Sequence, residues 1–156
     1  YPVAGPLSKQ LADAGLNIPL MGGDGIVDKT YTQLGGREGD FATNVGAPPE
    51  QLASAKAFID AYNAAGYKEP YSAYGALTYD AANVLIDGLS KTVGNGTFSD
   101  ASRAGLISAV QATNIQGTTG AISFDQFGDT TNKVLTVYQV KGGTFTPLET
   151  GSYKAS

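Results

Sequence analysis

The glycine-rich segment Gly22-Gly23-Asp24-Gly25 contains the residues of this sequence best suited to bind a ligand. It follows an apolar stretch, Leu16 to Met21, that we expect to form a short strand. Ligands of open α/β sheets bind beyond the carboxyl ends of strands, where a carboxylate can accept hydrogen bonds from an ammonium or amide group. The same residues could instead form only a tight turn with positive φ angles. They match neither the dinucleotide nor the P-loop fingerprint.

Two further groups of residues suggest chemistry less strongly. Three tyrosines, Tyr71, Tyr74 and Tyr79, cluster near the start of an expected helix. They could pack in the hydrophobic core or on the helix surface, or they could line a small-ligand pocket. The acidic segment from Asp125 to Asp129 has the wrong spacing for a calcium loop, so we expect a solvated turn there.

The absent residue types exclude several classes of function. With no His and no Cys, the chain cannot form a Ser-His-Asp triad, a thiol nucleophile, a zinc site of the usual ligands or a disulfide. No activated nucleophile or base is visible either, and we expect no catalytic residue, no metal site and no cofactor. The expectation that the protein is not an enzyme comes from the family resemblance described below. A hydrolase that uses Asp24 or Asp125 is an alternative that would require turnover to support it.

The charge balance and the hydropathy exclude two kinds of partner. Ten Lys and Arg residues against 14 Asp and Glu residues give a net charge of −4, the wrong sign for a nucleic-acid binder. No apolar run approaches the roughly 18 residues that a membrane span requires. The start, Tyr1-Pro2-Val3, has neither Met nor a signal segment, and it favours a processed or truncated chain over a complete cytosolic one.

Periodic patterns predict helices in the first two thirds of the chain. Apolar residues at helical spacing predict a helix from Gly5 to Gly15, one or two turns over residues 28–36, and a long helix from Pro48 to Gly66. Another helix is expected to begin at Ser72 as its N-cap and to end near Gly94, with Leu77, Ala81, Val84, Leu85 and Leu89 facing inward. A further helix follows Ser99.

The pattern becomes strand-like towards the end of the chain. Alternation predicts strands at Asp40–Val45 and Ala121–Phe124. Two more, Val134–Val140 and Thr144–Leu148, are expected to form a hairpin through Gly142-Gly143. The sequence therefore predicts an α/β fold with a meandering C-terminal addition.

The order and spacing of several segments resemble the C-terminal half of a branched-chain amino acid-binding protein. The resemblance rests on Tyr1-Pro2, on IPLMGGDG at residues 18–25, on AYGALTYDAA at residues 73–82, on GTTGAISFD at residues 117–125 and on VLTVYQV at residues 134–140. Proteins of this family are extracytoplasmic solute receptors of ABC importers with the type I periplasmic-binding-protein fold. The resemblance covers nearly the whole chain.

The resemblance implies a domain arrangement. Two Rossmann-like α/β lobes joined by three crossovers close on the ligand in this family. Residues 1–69 would belong to the second lobe, residues 70–116 to the first lobe, and residues 117–156 would cross back to the second lobe and end in the hairpin. Because the family's chains are longer, the resemblance implies that this chain is a fragment and that an N-terminal half is its partner.

The resemblance also implies roles for individual residues. Asp24 matches the acidic residue that receives the α-ammonium group of the ligand, where many members have Glu, and Gly23 belongs to the same turn. Tyr1 matches a tyrosine that lines the cleft, and Tyr79 matches an aromatic residue that closes over the ligand from the other lobe. The hydroxyl groups that bind the α-carboxylate would lie in the part of the family's chain that precedes Tyr1.

The expected function is binding of a branched-chain or similar small aliphatic L-amino acid for delivery to the membrane permease subunits of an ABC importer. The implied location is the periplasm, or the cell surface if the protein is a lipoprotein. Receptors of the same fold for urea, short amides or an aromatic compound are alternatives, and so is a ligand-sensing domain.

Overall fold

The computed structural model describes residues 2–153, which divide into two compact units. The sheet unit comprises the described residues up to Pro48 together with those from Val134 onward, and the helical unit runs from Pro49 to Lys133. The chain therefore passes between units after Pro48 and after Lys133, whereas the sequence placed borders after residues 69 and 116. The assignment of residues 1–69, 70–116 and 117–156 to lobes stays a prediction.

Helices and strands occur in both units. In chain order they are α1 (Ala4–Asp13), β1 (Met21–Gly22), α2 (Lys29–Gln33), β2 (Phe41–Val45), α3 (Lys56–Ala64), α4 (Gly75–Thr92), α5 (Asp100–Gln111), β3 (Asn114–Gly117), β4 (Gly120–Ser123), β5 (Val134–Lys141) and β6 (Thr144–Ser152). No helix within residues 2–153 has the length and apolar character needed to cross a membrane.

Four strands form the mixed sheet of the sheet unit in the order β1-β2-β5-β6. β1 pairs with β2 in parallel, and the other two pairs are antiparallel. Alternate residues of β5 are buried, including Thr136, Tyr138 and Val140, as expected for a strand with one face on the core. Gly142 and Gly143 both have positive φ angles, so the predicted hairpin turn between β5 and β6 is confirmed.

The predicted strand from Leu16 to Met21 is wrong for most of its length, because only Met21 and Gly22 pair with β2. Pro19 has no N–H to offer a ladder, and the N–H of Leu20 donates to the Asp40 carboxylate at 2.7 Å. The carbonyl of Ile18 accepts from the Arg37 guanidinium at 2.7 Å. Side-chain partners thus serve the Ile18 carbonyl and the Leu20 N–H, whereas the Leu20 carbonyl already accepts from the N–H of Phe41 in β2 at 2.8 Å.

The helical unit contains α3, α4, α5 and the two-stranded hairpin of β3 and β4. Ser99 accepts from the N–H of Ser102 in a capping box, so α5 begins where the sequence predicted. α4 begins at Gly75 rather than after Ser72, because Ser72 has a left-handed φ of 56° and cannot be its N-cap. The sequence did not predict β3.

The predicted long helix from Pro48 to Gly66 is wrong in its first half. Two short 3₁₀ turns, Pro49–Gln51 and Ala53–Ala55, precede α3, and between them Leu52 is extended with φ −105° and ψ 117°. The apolar stripe through Leu52 and Ala55 therefore does not lie on one continuous helix.

The apolar residues predicted to face inward from α4 do not all do so. Val84 is buried with Ala76, Asp80 and Gly88, which lie four residues apart along one row of the helix. Leu85 and Leu89, in the neighbouring row, are 48% and 37% exposed. The protein that the structure describes therefore covers one side of the apolar surface of α4 and leaves the adjacent side in solvent.

Candidate ligand-binding site

Gly23 and Asp24 lie directly after β1, at its carboxyl end, as the sequence predicted. Gly23 is extended, with φ −85° and ψ −167°, and Asp24 begins a 3₁₀ turn that ends at Ile26. The N–H of Val27 closes the turn by donating to the carbonyl of Asp24 at 3.0 Å. The turn holds Asp24 at the surface, where its carboxylate can accept hydrogen bonds from a cationic group.

The glycines of this segment are not explained by positive φ angles, so the simple turn interpretation is wrong for Gly22 and Gly23. A Cβ on Gly22 would lie 2.6 Å from Cδ1 of Ile26, so a side chain there would force the Ile26 side chain to move. A Cβ on Gly23 would meet no atom within 4 Å. The space beside Gly23 is open, so the backbone there is accessible to a ligand.

The other predicted site residues lie elsewhere or outside the described residues. Tyr79 belongs to α4 in the helical unit and is 49% exposed. Gly23 and Asp24 belong to the sheet unit. Tyr1 lies outside the residues that the structure describes.

Tyr79 belongs to a group of five aromatic rings in the helical unit, of which the sequence predicted only part. The Tyr79 ring contacts Phe58 of α3 with their centroids 5.3 Å apart, and Phe58 also packs edge-on against Tyr71 at 5.6 Å. Tyr62 contacts Phe58 and Tyr67 with tilted rings and contacts Tyr71 edge-on. The sequence analysis missed Phe58, because the residues around it in the helix do not show which aromatic side chains it contacts in the folded protein.

A hydrogen bond fixes one ring of this group. The Tyr71 hydroxyl donates to the Glu50 carboxylate. Burial raises the pKa of Tyr71 to about 12, and the hydrogen bond to Glu50 acts in the same direction. Tyr71 therefore stays a neutral donor at physiological pH.

A buried carboxylate stands next to Tyr79 on α4. Asp80 is 5% exposed and accepts from the N–H of Thr118 at 2.8 Å, from the N–H of Thr119 at 2.7 Å and from the Thr119 hydroxyl at 2.7 Å. These bonds join α4 to the turn between β3 and β4. Asp80 can hold the helix that carries Tyr79, although the sequence analysis gave it no role.

A second buried carboxylate supports the approach to β1. Asp40 is 1% exposed and accepts from the Ser8 hydroxyl, the Leu20 N–H, the Tyr31 hydroxyl and the Arg37 N–H. Burial favours the protonated acid, but these hydrogen bonds outweigh it and hold the pKa of Asp40 below its usual value. The carboxylate therefore anchors Leu20, immediately before the strand that leads to Gly23 and Asp24.

Two cavities within the units do not include the predicted residues. One, of about 330 Å³, lies beside the first residue of β2 and is lined by Ile18, Arg37 and Asp40 among others. The other, of about 270 Å³, is lined by residues between Pro49 and Ile59. The polar groups of the first cavity already bond to one another, since Arg37 contacts both Asp40 and the carbonyl of Ile18.

The acidic segment after β4 is a turn, as predicted. The Asp125 carboxylate accepts from the N–H of Phe127 at 2.9 Å and from the N–H of Asp129 at 3.0 Å. Gly128 supplies the positive φ of 87° that the turn needs. Within residues 2–153 no three acidic side chains are grouped so that they could hold a metal ion.

Comparison with known protein families identifies one match that covers most of the chain. The family model described as "Periplasmic binding protein" matches residues 2–144. A leucine-, isoleucine-, valine-, threonine- and alanine-binding protein from Pseudomonas aeruginosa is 31% identical over 141 residues. The match covers 89% of this chain and 36% of that protein.

Solved structures extend the comparison to the fold. A leucine-binding protein from Thermotoga maritima matches with a TM-score of 0.79 and 28% identity over 97% of this chain. A solute-binding protein of an ABC transporter from R. palustris, solved with benzoate, matches with a TM-score of 0.68 and 25% identity over 94% of this chain. This chain spans 42% and 39% of those two proteins. The fold is therefore the predicted type I periplasmic-binding-protein fold, of which the chain spans less than half the length.

Proposed function

Because this chain belongs to the periplasmic binding protein family, we propose that it forms part of an extracytoplasmic solute-binding protein of an ABC importer. Its ligand is a branched-chain or similar small aliphatic L-amino acid, which two lobes enclose by a hinge motion. It binds the ligand without transforming it. The observation that carries this proposal is the exposed carboxylate of Asp24 beside the open backbone of Gly23, at the carboxyl end of a strand.

The charge of Asp24 favours a ligand with an ammonium group. A zwitterion that leaves water must have both of its charges matched, since an unpaired buried charge is very costly. A carboxylate on the ammonium nitrogen gives a short, charge-assisted hydrogen bond. Asp24 supplies that partner, and the apolar and aromatic contacts, Tyr79 and Tyr1 among them, select the side chain of the amino acid.

The relatives support the ligand class and also name one alternative. The relatives from Pseudomonas aeruginosa and Thermotoga maritima are both named for leucine, and the former also for isoleucine, valine, threonine and alanine. The R. palustris relative was solved with benzoate, and the exposed rings of Tyr67 and Tyr79 could contact such a ring. Benzoate has no ammonium group, however, and its carboxylate would be repelled by Asp24. An amino acid is therefore the better match to this chain.

The same family membership supports the remaining parts of the proposal. The permease subunits of an ABC importer are the protein partners, and the location is extracytoplasmic, either free in a periplasm or attached to a cell surface. A hydrolytic role for Asp125 has little support, because that carboxylate already accepts two backbone N–H groups within its turn.

Calorimetric titration of the complete receptor, produced from its whole reading frame, tests the role of Asp24. We expect Asp24→Ala to weaken leucine, isoleucine or valine binding by about 10- to 150-fold, the range for the loss of a hydrogen bond to a charged group. Benzoate, urea and acetamide are titrated as well. Binding of one of them in place of an amino acid would identify the receptor as one for an aromatic compound, urea or a short amide.

A matched pair of variants controls for charge. Asp24→Asn and Asp28→Asn each remove one negative charge from the same loop, and Asn keeps the cap that Asp28 provides to Thr30 at the start of α2. Only Asp24→Asn should weaken binding. Equal affinities for the wild-type receptor and the Asp24 variants would exclude the proposed contact.

A further inference from the structure

We propose that Asn95 is a site of spontaneous deamidation, at which the side-chain amide of the asparagine is converted to a carboxylate through attack by the backbone nitrogen of Gly96. Both residues lie in the α4–α5 turn, which is defined here as residues 93–99. The reaction consumes only water, and asparagine belongs to the thermolabile residue types. The proposal goes beyond the proposed function and does not depend on which ligand the protein binds.

The sequence places a glycine after only one of its asparagines. The chain contains seven asparagines, and the six others are followed by Ile, Val, Ala or Lys. A side chain on the following residue, above all a β-branched one, crowds its backbone nitrogen and restricts the rotation that brings this nitrogen to Cγ of the asparagine. Glycine imposes neither limit. The pair of Asn95 and Gly96 is therefore the most reactive of the seven by sequence.

The structure leaves the reacting groups accessible to water. Asn95 and Gly96 are exposed, and so are Gly94 and Thr97 on either side of them. Among the residues that the structure describes, none holds the Asn95 carboxamide in a hydrogen bond. The side-chain amide can therefore rotate towards the backbone nitrogen of Gly96 without breaking a contact.

One hydrogen bond opposes the reaction. The N–H of Gly96 donates to the carbonyl of Val93 at 2.9 Å, so the turn must open locally before the nitrogen can lose its proton and attack. This opening breaks a single hydrogen bond within an exposed segment, and its free energy is therefore at the low end of the range for local unfolding. The capping box of Ser99 and Ser102 fixes the start of α5, beyond the residues that must move.

The bonds that change are confined to these two residues. The Gly96 nitrogen forms a bond to Cγ of Asn95 and gives its proton to water, and the C–N bond of the side-chain amide breaks, so that ammonia leaves and takes up a proton. Water then opens the succinimide ring. Opening at Cγ gives aspartate, and opening at the backbone carbonyl gives isoaspartate, in which the main chain runs through Cγ. Either product changes the net charge of the chain from −4 to −5.

The other asparagines are less able to react. Four of them lie within helices or strands, namely Asn44, Asn63, Asn83 and Asn114. Closing the ring there would break the hydrogen bonds of the element, which costs more than opening an exposed turn. Asn17 and Asn132 lie outside the helices and strands, but Ile18 and Lys133 follow them. These six residues therefore serve as internal controls.

Peptide mapping by mass spectrometry tests the proposal on the whole polypeptide that the reading frame encodes, kept in mildly alkaline buffer. Deamidation replaces an amide by a carboxylate and raises the mass of a peptide by about 1 Da. We expect the peptide with Asn95 to gain this mass at least about tenfold faster than any peptide with another asparagine, because every other site has a side chain beside the attacking nitrogen. Ion exchange should resolve the product as a more acidic form of the protein.

Two variants identify the reacting groups. Asn95→Gln keeps an amide but would have to close a larger ring, so it should abolish the mass gain at this position. Gly96→Ala should slow the reaction of Asn95 by about tenfold or more, because it places a methyl group beside the attacking nitrogen. The new Cβ would lie 3.1 Å from the Val93 carbonyl oxygen, and a small shift of the exposed turn relieves this contact. The matched control is Asn63→Gln on the surface of α3, which should leave the rate at Asn95 unchanged.

The identity of the product distinguishes attack by the backbone from direct hydrolysis. Ring opening gives both products, and methylation by an isoaspartyl methyltransferase detects the isoaspartate. Aspartate as the sole product, an equal rate for Asn95 and another asparagine, or a rate that Gly96→Ala leaves unchanged would each overturn the proposal. An Asn95 that stays intact while a synthetic peptide of residues 93–99 deamidates would overturn it as well, since the folded turn would then protect the amide. None of these readouts involves the ligand, so they are independent of the proposed function.

Discussion

Asp40 shows how a single buried carboxylate can organise the segment that leads to the proposed binding site. Its oxygens accept four hydrogen bonds, and the Arg37 guanidinium lies 3.9 Å away. The partners come from α1, from the segment before β1, from α2 and from the loop before β2. One side chain thus joins four stretches of chain around the strand that presents Asp24.

We predict that Asp40→Asn destabilises the protein by about 3 kcal/mol at pH 7, because the new amide group would face donors that need an acceptor. The effect should shrink as the pH falls. Since the folded pKa of Asp40 is lowered, its carboxylate contributes stability above the unfolded pKa of about 3.9, and that contribution is lost as the pH falls through the folded pKa. Urea unfolding at a series of pH values measures both effects.

The control for this prediction is Asp60→Asn. Asp60 pairs with Lys56 on the surface of α3, with 62% of its side chain exposed. Exposed ion pairs contribute little to stability, so Asp60→Asn should lower the free energy of unfolding by less than about 0.5 kcal/mol. A pH dependence of unfolding that is the same in wild type and Asp40→Asn would contradict the role given to Asp40.

The sequence predicts a binding role for Asp24 and no role for Asp40, and the reason is physical. Asp24 follows an apolar stretch and stands among glycines, a local pattern that is typical of a ligand site. The importance of Asp40 comes from Ser8, Leu20 and Tyr31, which are distant in sequence. No local pattern encodes those contacts.

At the scale of elements, Asp80 connects α4 to the turn between β3 and β4. Gly117 at this turn has no room for a side chain, since a Cβ would lie 2.8 Å from the Asp80 carboxylate. The Ser54 hydroxyl reaches the same turn by donating to the carbonyl of Thr118 at 2.8 Å. The turn is therefore held from two sides, within one unit.

We predict that Asp80→Ala costs about 2 to 3 kcal/mol of unfolding free energy and that Thr119→Val costs about 1 kcal/mol. The two changes should be strongly non-additive, because Thr119→Val removes a hydrogen bond that Asp80→Ala has already broken. Urea unfolding of the single and double variants forms the double-mutant cycle.

Thr32→Val is the matched control, since it also removes a threonine hydroxyl, which donates to the carbonyl of Gly143 in the sheet unit at 2.7 Å and has no hydrogen-bond partner in common with Asp80. Its effect should add to that of Asp80→Ala within about 0.5 kcal/mol. Additive effects of Asp80→Ala and Thr119→Val would show that their hydrogen bond contributes nothing to stability.

The elements that the sequence predicts well are those whose ends are encoded locally. The capping box at Ser99 and the Gly142-Gly143 turn each occupy a few adjacent residues. The helix predicted from Pro48 fails because Leu52 adopts an extended conformation that its apolar spacing does not reveal. Leu85 and Leu89 were wrongly expected to be buried, because apolar character at helical spacing does not show how far a neighbouring helix extends over them.

At the scale of the whole molecule, the proposed function requires more protein than this chain. By resemblance, the chain supplies the partner of the ligand's ammonium group and lacks the hydroxyl groups for its carboxylate. We therefore predict that leucine at 100 times its Kd stabilises the complete receptor by about 2.7 kcal/mol. The 156-residue chain should show no such stabilisation at the same leucine concentration.

Thermal unfolding over a leucine series, followed by fluorescence or calorimetry, measures this difference. Leucinamide is the control ligand, because it keeps the ammonium group of leucine and lacks the carboxylate. The complete receptor should prefer leucine to leucinamide, whereas the 156-residue chain should not distinguish them. Leucine binding by the 156-residue chain with the affinity of the complete receptor would contradict the prediction.

The two edges of the sheet have a consequence for how the chain behaves at high concentration. The strand at one edge, β1, has only two residues, and β6 at the other edge carries Pro147 beside an irregularity in its pairing with β5. Short strands, prolines and bulges are the features by which sheets avoid adding strands from other molecules. Both edges of this sheet thus disfavour the addition of strands from other molecules. The chain should therefore form fewer amyloid-like aggregates at high protein concentration than a four-stranded sheet with long, regular edge strands would.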